Sequence, residues 1–266
     1  MEPEEIGVPH GFLVQFSRLV LCDRTISHPQ ITYANGLTWW AGQTVKHENG
    51  HHFDPNYRYD YESFKGIPCP EKKKLISVIC SKNFFLPGHK KRLFFLERLQ
   101  QHSLSRQIDF FGGGFRPIDD KWDAIAPYKY HIVLENSVIP DYWTEKLADA
   151  FLGFSLPVYY GCPNITEYFS PEALRVIDID DFERSISTLG ELIERDLFDR
   201  HLEAITRARA DVLDRYNIFQ MMSEICREPA RRFAKCRLTP HGNFFRSWPK
   251  RVARKIIYRL RGIQGA

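Results

Sequence analysis

The sequence predicts an α/β protein built on a doubly wound parallel sheet. From residue 72 to residue 227, short apolar runs alternate with stretches whose apolar residues recur at helical spacing. Strands and helices in alternation imply parallel strands joined by crossover helices. A sheet of this kind takes its ligands at the carboxyl ends of its strands.

The first strand covers residues 72–80 and carries Leu75, Ile76, Val78 and Ile79, a short run that reads as buried. A Gly/Pro loop, "SKNFFLPGH", leads into an amphipathic helix over 89–101 with Leu93, Phe94, Leu96 and Leu99 on it. "QIDFFGGGF" (107–115) is a strand running into three glycines, and "YKYHIVLENS" (128–137) is the next strand. A helix then begins near Glu145, with Thr144 as its N-cap and Leu147, Ala148, Phe151 and Leu152 on its apolar face. "LPVYYG" and "RVIDID" supply two more strands, and helical stretches over 181–196 and 197–227 close the body. Residues 1–70 are different. "PHGFLVQFSRLVLCD" reads as a helix leading to a short strand, and the rest is loop-rich with many aromatics and histidines, too irregular for a complete α/β domain.

Composition is that of a soluble globular protein, 43% hydrophobic and 26% charged, and no run approaches the ~18 apolar residues of a membrane span. The start, "MEPEEIGVPHG", has neither a basic nor an apolar region of a secretory signal. Six cysteines without C-x-x-C spacing read as reduced thiols of a cytosolic protein. The net charge of +4 is unevenly spread: from residue 229 onward there are eleven Lys or Arg and no Asp or Glu. That leaves 26 basic against 33 acidic residues, or −7, for the rest. The body and the tail need separate explanations.

Lys146 stands in the first turn of its helix, where the dipole favours negative charge. Arg92 lies in the first turns of the helix after the first strand of the α/β unit. If both helices start at one edge of a parallel sheet, both cations overlook one crevice, and a diphosphate between them would account for Lys146. Glu145 would then accept hydrogen bonds from sugar or ribose hydroxyls. The competing explanation is two ordinary solvated charges. The "FFGGGF" cluster lacks the spacing of a dinucleotide fingerprint and the lysine of a P-loop, and reads most simply as a turn. "HENGHH" (47–52) offers His47, His51 and His52, but Asn49 and Gly50 break any helix between them, which favours a polar loop over a metal site. In the tail, Val252, Ala253, Ile256, Ile257 and Leu260 form one helical stripe flanked by Lys250, Arg251, Arg254, Lys255 and Arg259. This pattern suits an anionic membrane surface, reached through residues 244–262, or packing on the acidic body. No motif for a nucleic-acid partner accompanies it.

"YKYHIVLENSVIPDYWTEKLADAFLGFSLPVYYG" resembles the signature of the α-1,3/1,4-fucosyltransferases, glycosyltransferase family 10, which runs roughly Y-K-F, F-E-N-S, Y-x-T-E-K and V-P-[IV]-x-x-G. A weaker similarity extends from about residue 70 to 200 and takes in "GHKKR" and "IDFFG". "EPEEIGVP" is similar to the segment that carries the family's proposed base. The resemblance implies a GT-B-like fold of two Rossmann-like domains, with GDP-fucose held by the C-terminal one. It implies an inverting displacement onto a hydroxyl of a glycan acceptor. Diphosphate charge is then met by side chains, with no cofactor required and a divalent metal ion stimulating at most. By position it places Arg92 and Lys146 on the pyrophosphate, Glu145, Asn136 and Tyr142 in the donor site, and Glu2 as general base, with Glu4 and Glu5 as competitors for that role.

The expected organisation is a partial acceptor-side domain over 1–70, a donor-binding domain over 71–228 and a basic tail over 229–266. Relatives carry a further stretch before the glutamate that Glu2 matches, and its absence predicts an unpaired sheet edge. A nucleotide-binding domain without transfer activity, or a transferase using another nucleotide sugar, is therefore the alternative to a fucosyltransferase of surface-glycan synthesis. Such an enzyme would be cytoplasmic and peripheral on the inner membrane face.

Overall fold

In the computed structural model, residues 10–22, 24, 26–33, 38–46, 52–53, 57–82, 84, 86–227 and 239 are described. The N-terminal part forms α1 (His10–Leu13), β1 (Leu19–Leu21), β2 (Ile31–Tyr33), β3 (Val45–Lys46), β4 (His52–Phe53) and α2 (Tyr61–Gly66). Strands β1 and β2 pair in parallel, and β3 and β4 pair antiparallel. The body follows as β5 (Lys74–Ile79), α3 (Pro87–Gln101), β6 (Ile108–Phe111), β7 (Tyr128–Leu134), α4 (Glu145–Leu152), β8 (Leu156–Tyr160), β9 (Arg175–Val176), α5 (Phe182–Arg195), α6 (Phe198–Asp214) and α7 (Ile218–Arg227).

The expected α/β class holds: β6-β5-β7-β8-β9 form one five-stranded sheet, parallel throughout. Helices cover both faces. Phe95 of α3 meets Phe182 of α5 edge-on at 5.7 Å, and Tyr130 of β7 donates to Leu192 O of α5 on the same side. On the other side Arg209 of α6 donates to Leu152 O at the end of α4. Strands covered on both faces can carry apolar residues continuously, and in β7 every residue but Lys129 is buried. The strand order reverses between β5 and β7, which makes their carboxyl ends the topological switch point of the sheet.

His131 lies mid-strand in β7, buried, with Nδ1 2.7 Å from Ser77 Oγ of β5. Burial, then the positive charge of Lys121 and Lys72, lowers its pKa from 6.5 to about 3. The folded state therefore keeps His131 neutral, while the unfolded chain takes up a proton below pH 6.5. Stability should fall by about 1.4 kcal/mol per pH unit at most as the pH drops from 6.5 towards 3. Urea midpoints at pH 7, 6 and 5 test this. His131→Gln, which still offers Ser77 an acceptor, should flatten the slope in that window, and an unchanged slope would assign it to other groups.

Several boundaries differ from expectation: "RVIDID" contributes only Arg175–Val176 to the sheet and the first strand of the body is Lys74–Ile79. The strand expected over 128–137 ends at Leu134: Glu135 N makes a last bond to Tyr160 O of β8 at 2.8 Å, and its side chain turns inward to the start of α4. The single helical stretch expected over 197–227 is two helices. Arg215 N and Tyr216 N both donate to Asp211 O, Tyr216 stacks edge-on against Trp143 at 5.3 Å, and Asn217 Oδ1 accepts Gln220 N to open α7. The Tyr216 ring thus packs inward where a straight helix would have run on.

The N-terminal segment is stitched to the body by buried carboxylates. Asp149 Oδ1 of α4 accepts Trp40 N at 2.8 Å and Ala41 N at 2.9 Å, and Asp120 Oδ1 accepts Gly42 N at 2.9 Å. Gly42 has φ +78° and sits against Tyr59 and Phe64, a position suited to a residue without a side chain. Phe64 is fully buried and packs on Trp122 and Tyr59. No helix among the described residues is long and apolar enough to cross a membrane.

Candidate functional site

The carboxyl ends of β5 and β7 bring the two expected cations together. Helix α3 starts with Pro87 at its first turn and no acidic residue there, so the positive end of its dipole is uncompensated by its own side chains. Gly88 lets this end approach the loop after β7: a Cβ on Gly88 would stand 1.6 Å from Asn136 O. One turn further on, Arg92 is buried, with Nη1 donating to Leu134 O at 3.1 Å and Nε without a hydrogen-bond partner. Its charge is felt at Cys80, at the end of β5, and at Lys146.

Helix α4 begins on the β7 side of the same crevice. Thr144 is its N-cap, as expected, and accepts from Lys146 N. Lys146 Nζ lies 3.1 Å from Thr144 Oγ1, 3.2 Å from Glu145 Oε1 and 3.5 Å from Glu135 Oε2. The expectation of a cation awaiting an anion, or of a solvated charge, is therefore amended: Lys146 already offsets two carboxylates, and its side chain is a quarter exposed. Burial works to lower the Lys146 pKa, but Glu135 and Glu145 outweigh it and the net shift is upward. For Glu145 burial works upward, yet Lys146 and Lys121 win and the carboxyl is held below its usual range.

Glu135 is the residue that sequence reasoning missed. Its fully buried carboxylate accepts Thr144 N at 2.8 Å and the Thr144 hydroxyl at 2.8 and 3.0 Å, tying the end of β7 to the cap of α4. Burial dominates and raises its pKa, against the pull of Lys146. The sequence signal is the glutamate of "LENS", next to Asn136. Gly161 leaves the room: a Cβ there would meet Glu135 Cγ and the Tyr159 hydroxyl, each at 2.5 Å.

Asn136 and Tyr142 are both buried in the segment linking β7 to α4. Asp141 fixes that segment in a left-handed backbone conformation, φ +64°. Its carboxylate takes Arg24, Asn164 Nδ2 at 2.8 Å and the Tyr168 hydroxyl at 2.8 Å. The Arg24 guanidinium, more than any other partner, brings its pKa down to about 2.

The triple glycine is a turn, as read, and it also lines a cavity. Gly112 and Gly114 have φ +98° and +101°, and a Cβ on Gly112 would lie 2.3 Å from Cys80 O. These glycines, Cys80 and Ser81 of the β5 end, Lys121 and Trp40 enclose about 470 Å³. Lys121 Nζ is 2.8 Å from Asp149 Oδ2 and 4.0 Å from Glu145 Oε1, which connects the cavity to the start of α4. The structure thus gathers Arg92, Asn136, Glu145 and Lys146 around one switch point, with Tyr142 in the segment beside them. Glu2, its competitors Glu4 and Glu5, His47, His51 and the tail over 244–262 lie outside the described residues. Among the described residues no group of three or more metal-ligating side chains occurs.

The chain is similar to known proteins over part of its length. The chain is 30% identical over 76 residues to an alpha-(1,3)-fucosyltransferase of Helicobacter pylori, an alignment covering 28% of this chain and 16% of that protein. It is 31% identical over 97 residues to a 4-galactosyl-N-acetylglucosaminide 3-alpha-L-fucosyltransferase of Homo sapiens, covering 35% of this chain and 26% of the human one. The chain thus matches a minor part of either relative. Among solved structures, an alpha1,3-fucosyltransferase with GDP-fucose superposes with a TM-score of 0.41 at 19% identity, over 55% of this chain and 50% of that one. The family model for the C-terminal domain of glycosyltransferase family 10 (fucosyltransferase) matches residues 69–202, a stretch that takes in β5 and the start of α6 and holds Arg92, Glu135, Asn136, Tyr142, Glu145 and Lys146. The chain belongs to glycosyltransferase family 10, the fucosyltransferases.

Proposed function

We infer that this chain binds GDP-fucose at the β5/β7 switch point and transfers fucose, with inversion, to a hydroxyl of a glycan acceptor. The observation that carries the reading is the convergence of Arg92, Lys146 and the uncompensated start of α3 on one crevice, in a chain of this family. The donor's diphosphate would displace Glu145 from Lys146, freeing that carboxylate for a donor hydroxyl. Fixed cations on the departing diphosphate stabilise charge that grows in the transition state. The acceptor oxygen attacks the anomeric carbon as the bond from that carbon to the GDP oxygen breaks. The acceptor proton passes to a carboxylate, the role assigned to Glu2, which needs only to accept it. No metal ion takes part in this scheme. A place in surface-glycan synthesis at the inner membrane face, with residues 244–262 on an anionic lipid surface, completes the proposal, as does the division into acceptor, donor and tail segments.

Calorimetric titration with GDP-fucose, GDP-mannose and UDP-galactose tests the donor. Selective GDP-fucose binding is the expected result. Preference for UDP-galactose would sink the fucose assignment, and binding without fucose release in the presence of acceptor would leave a nucleotide-binding domain without transfer activity.

A further inference from the structure

A second cavity, about 830 Å³, lies between residues 38–43 and 57–61 on one side and the start of α7 on the other. Its wall is aromatic: Trp39, Trp40, Tyr57, Tyr59, Tyr61 and Phe219. Tyr57 is 64% and Phe219 79% exposed, so two large rings are held in water beside a concave surface instead of being packed away. A contiguous exposed aromatic surface of this kind marks a binding site more often than chance exposure.

The polar groups narrow the ligand. Gln43 and Gln220 supply amides, while Asn217 bonds Leu213 O and Gln220 N, and the Asp60 and Asp214 carboxylates accept Ser63 and Tyr61 and keep further lone pairs for a ligand; no lysine or arginine is among the described lining residues. The neighbouring cations are already paired: Lys65 Nζ sits 3.1 Å from the lining carboxylate of Asp214, and Arg58 pairs with Asp123 at 2.6 Å. Such a lining offers nothing to a phosphate or an anionic lipid. It matches a neutral pyranose, whose apolar ring face covers an aromatic ring while its hydroxyls reach amides and carboxylates. Position adds a second argument, because Trp40 and Gln43 line this groove and the glycine-turn cavity alike. A ligand in the groove therefore ends beside the glycine-turn cavity, which Lys121 links to Glu145 at 4.0 Å.

We propose that the groove between residues 38–43, residues 57–61 and α7 binds the neutral saccharide of the acceptor, with Tyr57 and Phe219 as stacking faces and its reacting end directed towards Trp40 and Gln43. This rests on the reading of the chain as a fucosyl transferase. The test is a tryptophan-fluorescence titration with neutral disaccharides, headed by galactosyl-N-acetylglucosamine, run beside the GDP-fucose titration. Tyr57→Ala and Phe219→Ala should each weaken disaccharide binding by about three- to tenfold, the loss of one stacking face, and leave GDP-fucose affinity unchanged. Unchanged disaccharide binding in both variants overturns the groove assignment while the donor reading stands, and so does a panel in which no disaccharide binds. Disaccharide binding that depends on both rings, in a chain that binds no GDP-fucose, overturns the transfer reading and keeps the saccharide groove.

Discussion

Lys146→Ala is expected to weaken GDP-fucose binding by about 10- to 150-fold, the worth of one charge-assisted hydrogen bond to the diphosphate. The same substitution should also cost stability. Lys146 is the cation nearest the fully buried Glu135 carboxylate, at 3.5 Å, and removing one partner of a buried pair leaves the other uncompensated. Because the lysine side chain is a quarter exposed, the expected loss is about 1–3 kcal/mol, below the range for a wholly buried pair. The two effects separate in the double variant. Adding Glu135→Gln keeps an acceptor for Thr144 N and removes the stranded charge, so urea stability should recover while donor affinity stays low. If Lys146→Ala binds GDP-fucose as the unchanged chain does, Lys146 serves only Glu135 and Glu145 and the donor contact must be sought at Arg92.

The larger structural effect belongs to Gly88→Ala. The new methyl would be placed 1.6 Å from Asn136 O, a backbone atom that cannot swing aside. Helix α3 would have to lift off the loop after β7, and Arg92, which binds Leu134 O from that helix, would move with it. We expect a loss of at least about 3 kcal/mol in urea unfolding, at the upper end for overpacking, and no measurable donor binding in whatever folds. Gly190, within α5, is the control, since a Cβ there meets nothing within 4 Å. Gly190→Ala should raise stability by about 0.5–1 kcal/mol through helix propensity. Equal stability of the two variants would contradict the close approach at Gly88.

The alternation of elements in the body was legible because each strand and helix writes its own period locally. The helix behind Thr144 and its cap stand where the residues put them, and the strands expected over 72–80 and 128–137 are present but shorter, at 74–79 and 128–134. The break at Arg215–Asn217 was not legible, because it depends on Tyr216 finding Trp143, a partner distant in sequence. Four of the site residues chosen by motif meet at the switch point, whereas Glu135 escaped notice because a buried carboxylate has a role only once its partners are known.

By itself the sequence determined the α/β class, the capping of α4 and, through the spacing of its T-E-K and E-N-S segments, the family. Periodicity and motif spacing are properties of consecutive residues, so they can be read without coordinates. The tertiary structure alone decided that Arg92 and Lys146 share a crevice, that Lys146 offsets Glu135, and that Asp149 holds Trp40 and Ala41 beside the glycine turn. Those are contacts between segments far apart in the chain. They are chosen by which buried charges and backbone donors must be satisfied together, and no local pattern records that choice.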